Sequence, residues 1–222
     1  MDSKQELRSE GNKAIDYINN KYGISFEPLE YEVGDFLSSS DMVKCTTDGL
    51  DKENEQVNIL VQSDKDGKTT YKDNYFGYYI REQLEEYHVK LAGMSASTKI
   101  FFGMSSDYYD NDLVIGSTVD DLFEKMPGLY YIMNMYVAKT DAVDLTTLET
   151  EIEAFAERLK DSGRKYSCVL NIVSQNEFDA ITRYGQSDFK NYVRKAKVPD
   201  NERFFYSRKV DIDKEEGITW LN

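Results

Sequence analysis

The chain has 222 residues, 40% hydrophobic and 31% charged, with 3 prolines and 13 glycines. That composition excludes disordered and low-complexity classes and leaves a core-forming globular chain, either one large domain or two small ones. A formal net charge of −14 repels nucleic acid and anionic membrane, so no nucleic-acid partner is expected, and no apolar run reaches the roughly 18 residues that a membrane span needs.

The opening "MDSKQELRSEG" is polar and holds no signal peptide. Two origins fit it: a cytoplasmic chain, or a start placed after a removed signal or lipid-anchor segment. Leu7, Gly11, Ala14, Ile15, Ile18 and Tyr22 recur at three- and four-residue steps, which predicts an amphipathic helix stopped by Gly23. "ISFEPLEYEV" is then extended. Leu29, Tyr31 and Val33 alternate with Glu30 and Glu32, so one face is wet, and Pro28 points to a sheet edge or a bulge. Strands are predicted over 41–48 and 56–63, with "DKDG" at 64–67 turning the second into "KTTYK". A second helix covers about 73–91 with the stripe Phe76, Ile80, Leu84, Tyr87 and Leu91. His88, the sole histidine, falls beside Tyr87 and one position off that stripe, which predicts an exposed or half-exposed helix residue.

"GMSAS" at 93–97 is the one small-residue linker, and it divides the chain into 1–95 and 96–222 if two domains are present. "TKIFFGM" reads as a short buried strand. The loop after it, "SSDYYDNDLVIG", holds three aspartates and two tyrosines within Asp107–Asp112. Calcium wants six to eight oxygens in a tight loop. This loop has its acids at positions 1, 4 and 6 and lacks the central glycine, and "DKDGKTTYKD" fails at Lys68, so no metal is expected. Asp107, Tyr108, Tyr109, Asp110 and Asp112 remain a candidate protein-contact loop, because tyrosine is an amphipathic anchor that interfaces favour. Leu113, Val114 and Ile115 are expected to return the chain to the core.

A short helix over about 118–125 is capped by Ser117 or Thr118. "LYYIMNMYVAK" is apolar on both faces and reads as a central strand. "TTLETEIEAFAERLKDSG" is a helix with a capping box of Thr146 and Glu149 and the stripe Leu148, Ile152, Phe155 and Leu159. "KYSCVLNIVS" is a buried strand. Short helices are expected at about 177–184 and 187–195, and "RFFYSRKVDI" is a strand. The tail holds Trp220, the only tryptophan. The fold class is therefore α+β, with antiparallel or mixed sheets packed against amphipathic helices.

Charge is uneven along this order. Residues 1–162 hold 32 acidic and 16 basic side chains, whereas 163–222 hold 9 and 11. Lys190, Arg194, Lys195 and Lys197 lie near Phe204, Phe205 and Tyr206, a pattern that fits an amphipathic helix followed by a core strand better than a base-stacking surface. Cys45 and Cys168 are neither a disulfide framework nor a metal motif. With one histidine, no nucleophile elbow and no glycine-rich phosphate loop, no cofactor and no catalysis are expected.

The stretch "KAIDYINNKYGISFEPLEYE", through Ala14, Ile18, Lys21, Tyr22 and Gly23, resembles the opening of uncharacterised exported proteins and lipoproteins of Gram-positive bacteria. The resemblance covers about 90 residues. It implies a helix-plus-antiparallel-sheet module of the cystatin or PepSY type, and transfers no catalytic residue. Two functional expectations follow. One is a non-enzymatic extracytoplasmic bacterial domain, membrane-anchored through a removed N-terminal segment, that binds a protein or a small ligand. The other is a cytoplasmic acidic immunity or inhibitor protein that binds a basic partner.

Overall fold

The structure, a computed structural model, describes residues 3–34, 40–103, 108–184 and 204–221. It is α+β, and the chain divides into two compact units. The first is Met1–Ile80 with Ser106–Met126, and the second is Arg81–Ser105 with Pro127–Asn222. The division thus falls inside the second helix, not at 93–97. The segment after residue 105 returns to the first unit because Tyr109, Leu113, Val119 and Leu122 bury their side chains there.

In the first unit, helix α1 (Ser3–Tyr22) is followed by four strands: β1 (Glu27–Glu32), β2 (Asp41–Thr46), β3 (Val57–Ser63) and β4 (Thr69–Asp73). They form an antiparallel meander in chain order. Val43, Cys45, Val57, Ile59 and Val61 alternate onto one sheet face and are buried, as are Ala14, Ile18 and Tyr22 of α1. The turn at 64–67 closes as expected: Asp64 donates its N–H to Lys68 O at 3.0 Å, and Gly67 takes φ +79°. Pro28 lies on an edge strand and beside a bulge, with the register shifting between Pro28 and Glu30. That bulge breaks the expected alternation. Tyr31 pairs with the buried Val43, while Leu29 is the extra residue and is 56% exposed. Helix α2 (Tyr75–Ala92) starts in this unit, and α3 (Val119–Lys125) is capped by Thr118 in a reciprocal box with Asp121.

The second unit carries β5 (Thr98–Gly103), β6 (Tyr130–Lys139), α4 (Leu145–Asp161), β7 (Lys165–Ser174), α5 (Gln175–Ala180), β8 (Phe204–Asp213) and β9 (Gly217–Leu221). The five strands lie in chain order. β6 and β7 are parallel over ten residue pairs, joined by the α4 crossover, and the other pairs are antiparallel. Leu148, Ile152, Phe155, Ala156 and Leu159 form the fully buried stripe of α4. On the opposite sheet face, Phe178 and Ile181 pack on Tyr136, Ala138 and Val173.

Two expectations are corrected in this unit. The α4 cap is Asp144, whose side chain accepts from Thr147 N at 2.9 Å, so the helix begins one residue before Thr146. β5 is an edge strand with half-buried positions, not a fully buried one. The tail around Trp220 is strand β9, which pairs Trp220 with Val210. The expected helix at 187–195 lies outside the described residues.

Candidate functional site

The acidic loop belongs to the first unit. Asp107 lies outside the described residues, Tyr108 is half-buried, and Asp110 and Asp112 are exposed. Tyr109 is buried, not offered to a partner. Its ring packs edge-on to Phe76 at 5.6 Å, its N–H donates to Asp73 O at 3.1 Å, and burial raises its phenol pKa. Asp110 Oδ1 accepts from Asp112 N at 2.9 Å, a local turn bond, and Asp112 pairs with Lys125 at 3.5 Å on the surface. Of the three apolar residues expected to re-anchor the loop, Leu113 is buried, Val114 is half-buried and Ile115 is 40% exposed. Among the described residues, no group of three or more His, Cys, Asp or Glu could hold a metal.

The densest polar cluster of the first unit went unread in the sequence. Asp73, 0% exposed, ends β4. Its carboxylate accepts from Tyr22 Oη at 2.8 Å, Lys21 Nζ at 2.8 Å and Tyr75 N at 3.1 Å, with Tyr17 Oη at 2.9 Å. The Tyr17 and Tyr22 phenols are pushed far up, first by burial and then by the Asp73 charge. Lys21 and Asp73 are an internally satisfied buried pair. They fasten α1 to β4.

His88 is 0% exposed, a correction to its expected surface position. The four-residue steps Phe76, Ile80, Leu84 place His88 next on the buried line. Its Nδ1 lies 2.7 Å from Leu84 O, and a carbonyl only accepts, so Nδ1 carries the proton. Nε2 then accepts from Tyr166 Oη at 3.2 Å. Burial drives the imidazole pKa down to about 4, partly opposed by the Leu84 carbonyl and aided by the charge of Arg164. His88 is a neutral core residue beside Phe102 and Tyr166.

The second unit contains a cleft of about 580 Å³ beside the outer edge of β5, walled by Glu82, Glu85, Val89, Phe101, Ile181 and Arg183, among others. Glu85 is its centre. One carboxylate oxygen accepts from Phe102 N at 3.0 Å, and the Arg183 guanidinium forks both oxygens, the second at 2.6 Å. Arg183 also lies over the Phe101 ring at 5.5 Å. Lys99 Nζ donates to Phe178 O at 2.6 Å and Ile181 O at 3.1 Å, and so serves the end of α5. Of the basic patch near Phe204, the lysines and Arg194 lie outside the described residues. Arg208, which is described, lies over Tyr206 at 5.5 Å and Trp220 at 5.9 Å.

No family model and no curated protein matches the chain. Among solved structures the chain is similar to the crystal structure of a DUF5037 family protein from Ruminococcus gnavus ATCC 29149, at 16% identity and a TM-score of 0.37 over 77% of each chain. No helix among the described residues is long and apolar enough to cross a membrane.

Proposed function

We propose that the protein is a non-enzymatic binding module that engages a cationic protein through its first unit. The supporting observation is where the charge falls. The first unit holds 22 acidic and 10 basic residues, and the second holds 19 and 17. Almost all of the net −14 therefore belongs to the first unit. Its β1 edge exposes Leu29 (56%) and, just beyond the strand, Val33 (58%), among Glu27, Glu30 and Glu32. Around that apolar pair Lys44 bridges Glu30 and Glu32, and Lys52 lies 3.8 Å from Glu27, so it is the acidic excess of the unit as a whole whose field accelerates encounter with a basic surface. The resemblance of "KAIDYINNKYGISFEPLEYE" to exported Gram-positive proteins supports a place outside the membrane. The same charge partition also supports the second possibility, a cytoplasmic acidic inhibitor of a basic protein.

The test begins with proteins of the source bacterium captured on the intact chain. Capture must be lost when Glu27, Glu30 and Glu32 are changed to Lys, and kept when Asp141, Glu153 and Glu157 of the second unit are changed likewise. The on-rate of the captured partner must fall as salt rises. An on-rate indifferent to salt, or capture that survives the β1 reversals, ends the proposal. Fractionation of the native cell then separates the two settings: recovery with the envelope fits the first, and recovery in the cytosol fits the second.

A further inference from the structure

We propose that Asp48 is a site of spontaneous main-chain modification: the Asp48–Gly49 step closes to a succinimide and reopens as isoaspartate. The proposal concerns the first unit alone and does not depend on its having a partner.

The chain has two Asp–Gly steps, Asp48–Gly49 and Asp66–Gly67. Glycine after aspartate is the step most open to ring closure, because no Cβ crowds the attacking nitrogen and the backbone turns freely there. In the reaction Gly49 N attacks Cγ of the protonated Asp48 carboxyl group. The N–Cγ bond forms, and the amide proton leaves with the carboxyl hydroxyl as water. Water then adds to one of the two ring carbonyls and breaks its bond to nitrogen. Opening at Cγ restores aspartate. Opening at the main-chain carbonyl leaves the chain running through Cβ and Cγ, with a free carboxylate on Cα. No oxidant, reductant or cofactor enters, and the number of charges is unchanged.

All four residues are exposed, so water reaches both steps. What differs is how firmly each glycine nitrogen is held. Ring closure needs the peptide between the two residues to turn until the glycine nitrogen faces Cγ. At 66–67 that rotation breaks a hydrogen-bonded hairpin turn. Gly67 N–H donates to Asp64 O at 3.1 Å and Asp64 N–H to Lys68 O at 3.0 Å. Asp64 Oδ1 also accepts from Asp66 N at 2.9 Å and from Lys68 N at 2.8 Å. At 48–49 neither the Gly49 N–H nor the Asp48 carboxylate has a hydrogen bond among the described residues. That turn is spanned by Leu50 N–H to Thr47 O at 3.4 Å, a long bond that constrains it weakly. Nothing stands within 4 Å of where a Cβ on Gly49 would be, so the flat ring has room. The chain just before is anchored, since Thr47 Oγ1 donates to Ser25 O at 2.7 Å, and the reaction stays local to the turn.

The test uses the full chain held at pH 5 and 37 °C, once folded and once unfolded in guanidinium chloride. Isoaspartate is located by electron-transfer fragmentation, which breaks the Cα–Cβ bond that the modified residue places in the main chain. The succinimide is seen as a species lighter by one water. In the folded chain isoaspartate should accumulate at residue 48 at least fivefold faster than at residue 66. In the unfolded chain the hairpin turn is gone, and the two rates should agree within about twofold. Asp48→Glu, which would need a six-membered ring, should abolish the product at 48 and leave that at 66 unchanged. The proposal is overturned if the folded chain converts residue 66 as fast as residue 48, or if the fivefold preference persists in the unfolded chain. It is also overturned if the folded chain forms no isoaspartate at 48 over a time in which the unfolded chain does.

Discussion

At the scale of single residues, His88 shows how environment overrides identity. Its pKa is held near 4 by burial, against about 6.5 in the unfolded chain. Above pH 6.5 both states are neutral. Between 6.5 and 4 the unfolded state takes up a proton that the folded state refuses, so stability falls as pH falls through that window, by at most about 3 kcal/mol. His88→Phe, placed among Phe102, Tyr166 and Tyr87, should lose this part of the pH dependence. Urea midpoints at pH 7 and pH 4.5 test it, and equal slopes in the two proteins would refute it. Gly11 is a second case. A Cβ there would lie 1.5 Å from Cε1 of Tyr31. Alanine improves a helix interior by up to about 1 kcal/mol, but here the ring must move, and overpacking costs about 1–3 kcal/mol. Gly11→Ala should therefore lower the melting temperature in the native background and raise it when Tyr31 is already alanine. The helical stripe placed Gly11 on the buried face. The sequence held no sign that a ring from β1 lies on it, because that contact joins positions 20 residues apart.

At the scale of elements, what was legible followed local periodicity and turn chemistry. The strands β6 and β7, the α4 stripe, the Thr118 cap and the turn at 64–67 all depend on neighbours within a few residues. Features set by pairing were not legible. The bulge that turns Leu29 outward depends on how β1 meets β2, and the edge position of β5 depends on the order of five strands. The Asp73 cluster is of the same kind, since it joins Tyr17, Lys21 and Tyr22 to a carboxylate more than 50 positions away. It yields a sharp prediction. Asp73→Asn leaves the Lys21 ammonium, whose side chain is 5% exposed, without its counter-charge. Breaking a buried pair from one side costs about 3–5 kcal/mol. Adding Lys21→Met removes the stranded charge, so the double variant should be more stable than Asp73→Asn alone. Chemical denaturation of the four proteins of the cycle measures this, and a double variant no more stable than Asp73→Asn alone would contradict it.

At the scale of the whole molecule, the α+β class was legible in composition and pattern, but the division into units was not. The loop around Asp110 reads as a linker between strand and helix that returns to the core at Leu113, as it does, yet Tyr109 sinks into the first unit's core as well. The candidate contact loop was chosen for its tyrosines, and burial of Tyr109 removes one of them from the surface. The cleft at Glu85 had no local signature, since it gathers Glu85, Phe102 and Arg183 from positions up to 98 apart. The two cysteines give a means to test the division itself. Cys45 sits in the first unit at 0% exposure, with its thiol pKa pushed up to about 12 by burial and by the Asp73 charge. Cys168 sits in the second at 1%, raised by burial and then by Asp211. Buried thiols kept protonated react only when the surrounding structure opens, and the labelling rate then follows the opening equilibrium. Single-thiol proteins made with Cys45→Ala or Cys168→Ala each report one unit. Asp73→Asn destabilises the first unit's core by about 3 kcal/mol, which corresponds to roughly a hundredfold more opening, since about 1.4 kcal/mol is a factor of ten. Labelling of Cys45 at pH 8 should accelerate by about that factor, while Cys168 stays within about threefold of its original rate, as units with separate cores open separately. Equal acceleration at both thiols would show instead that the chain opens as a single cooperative structure.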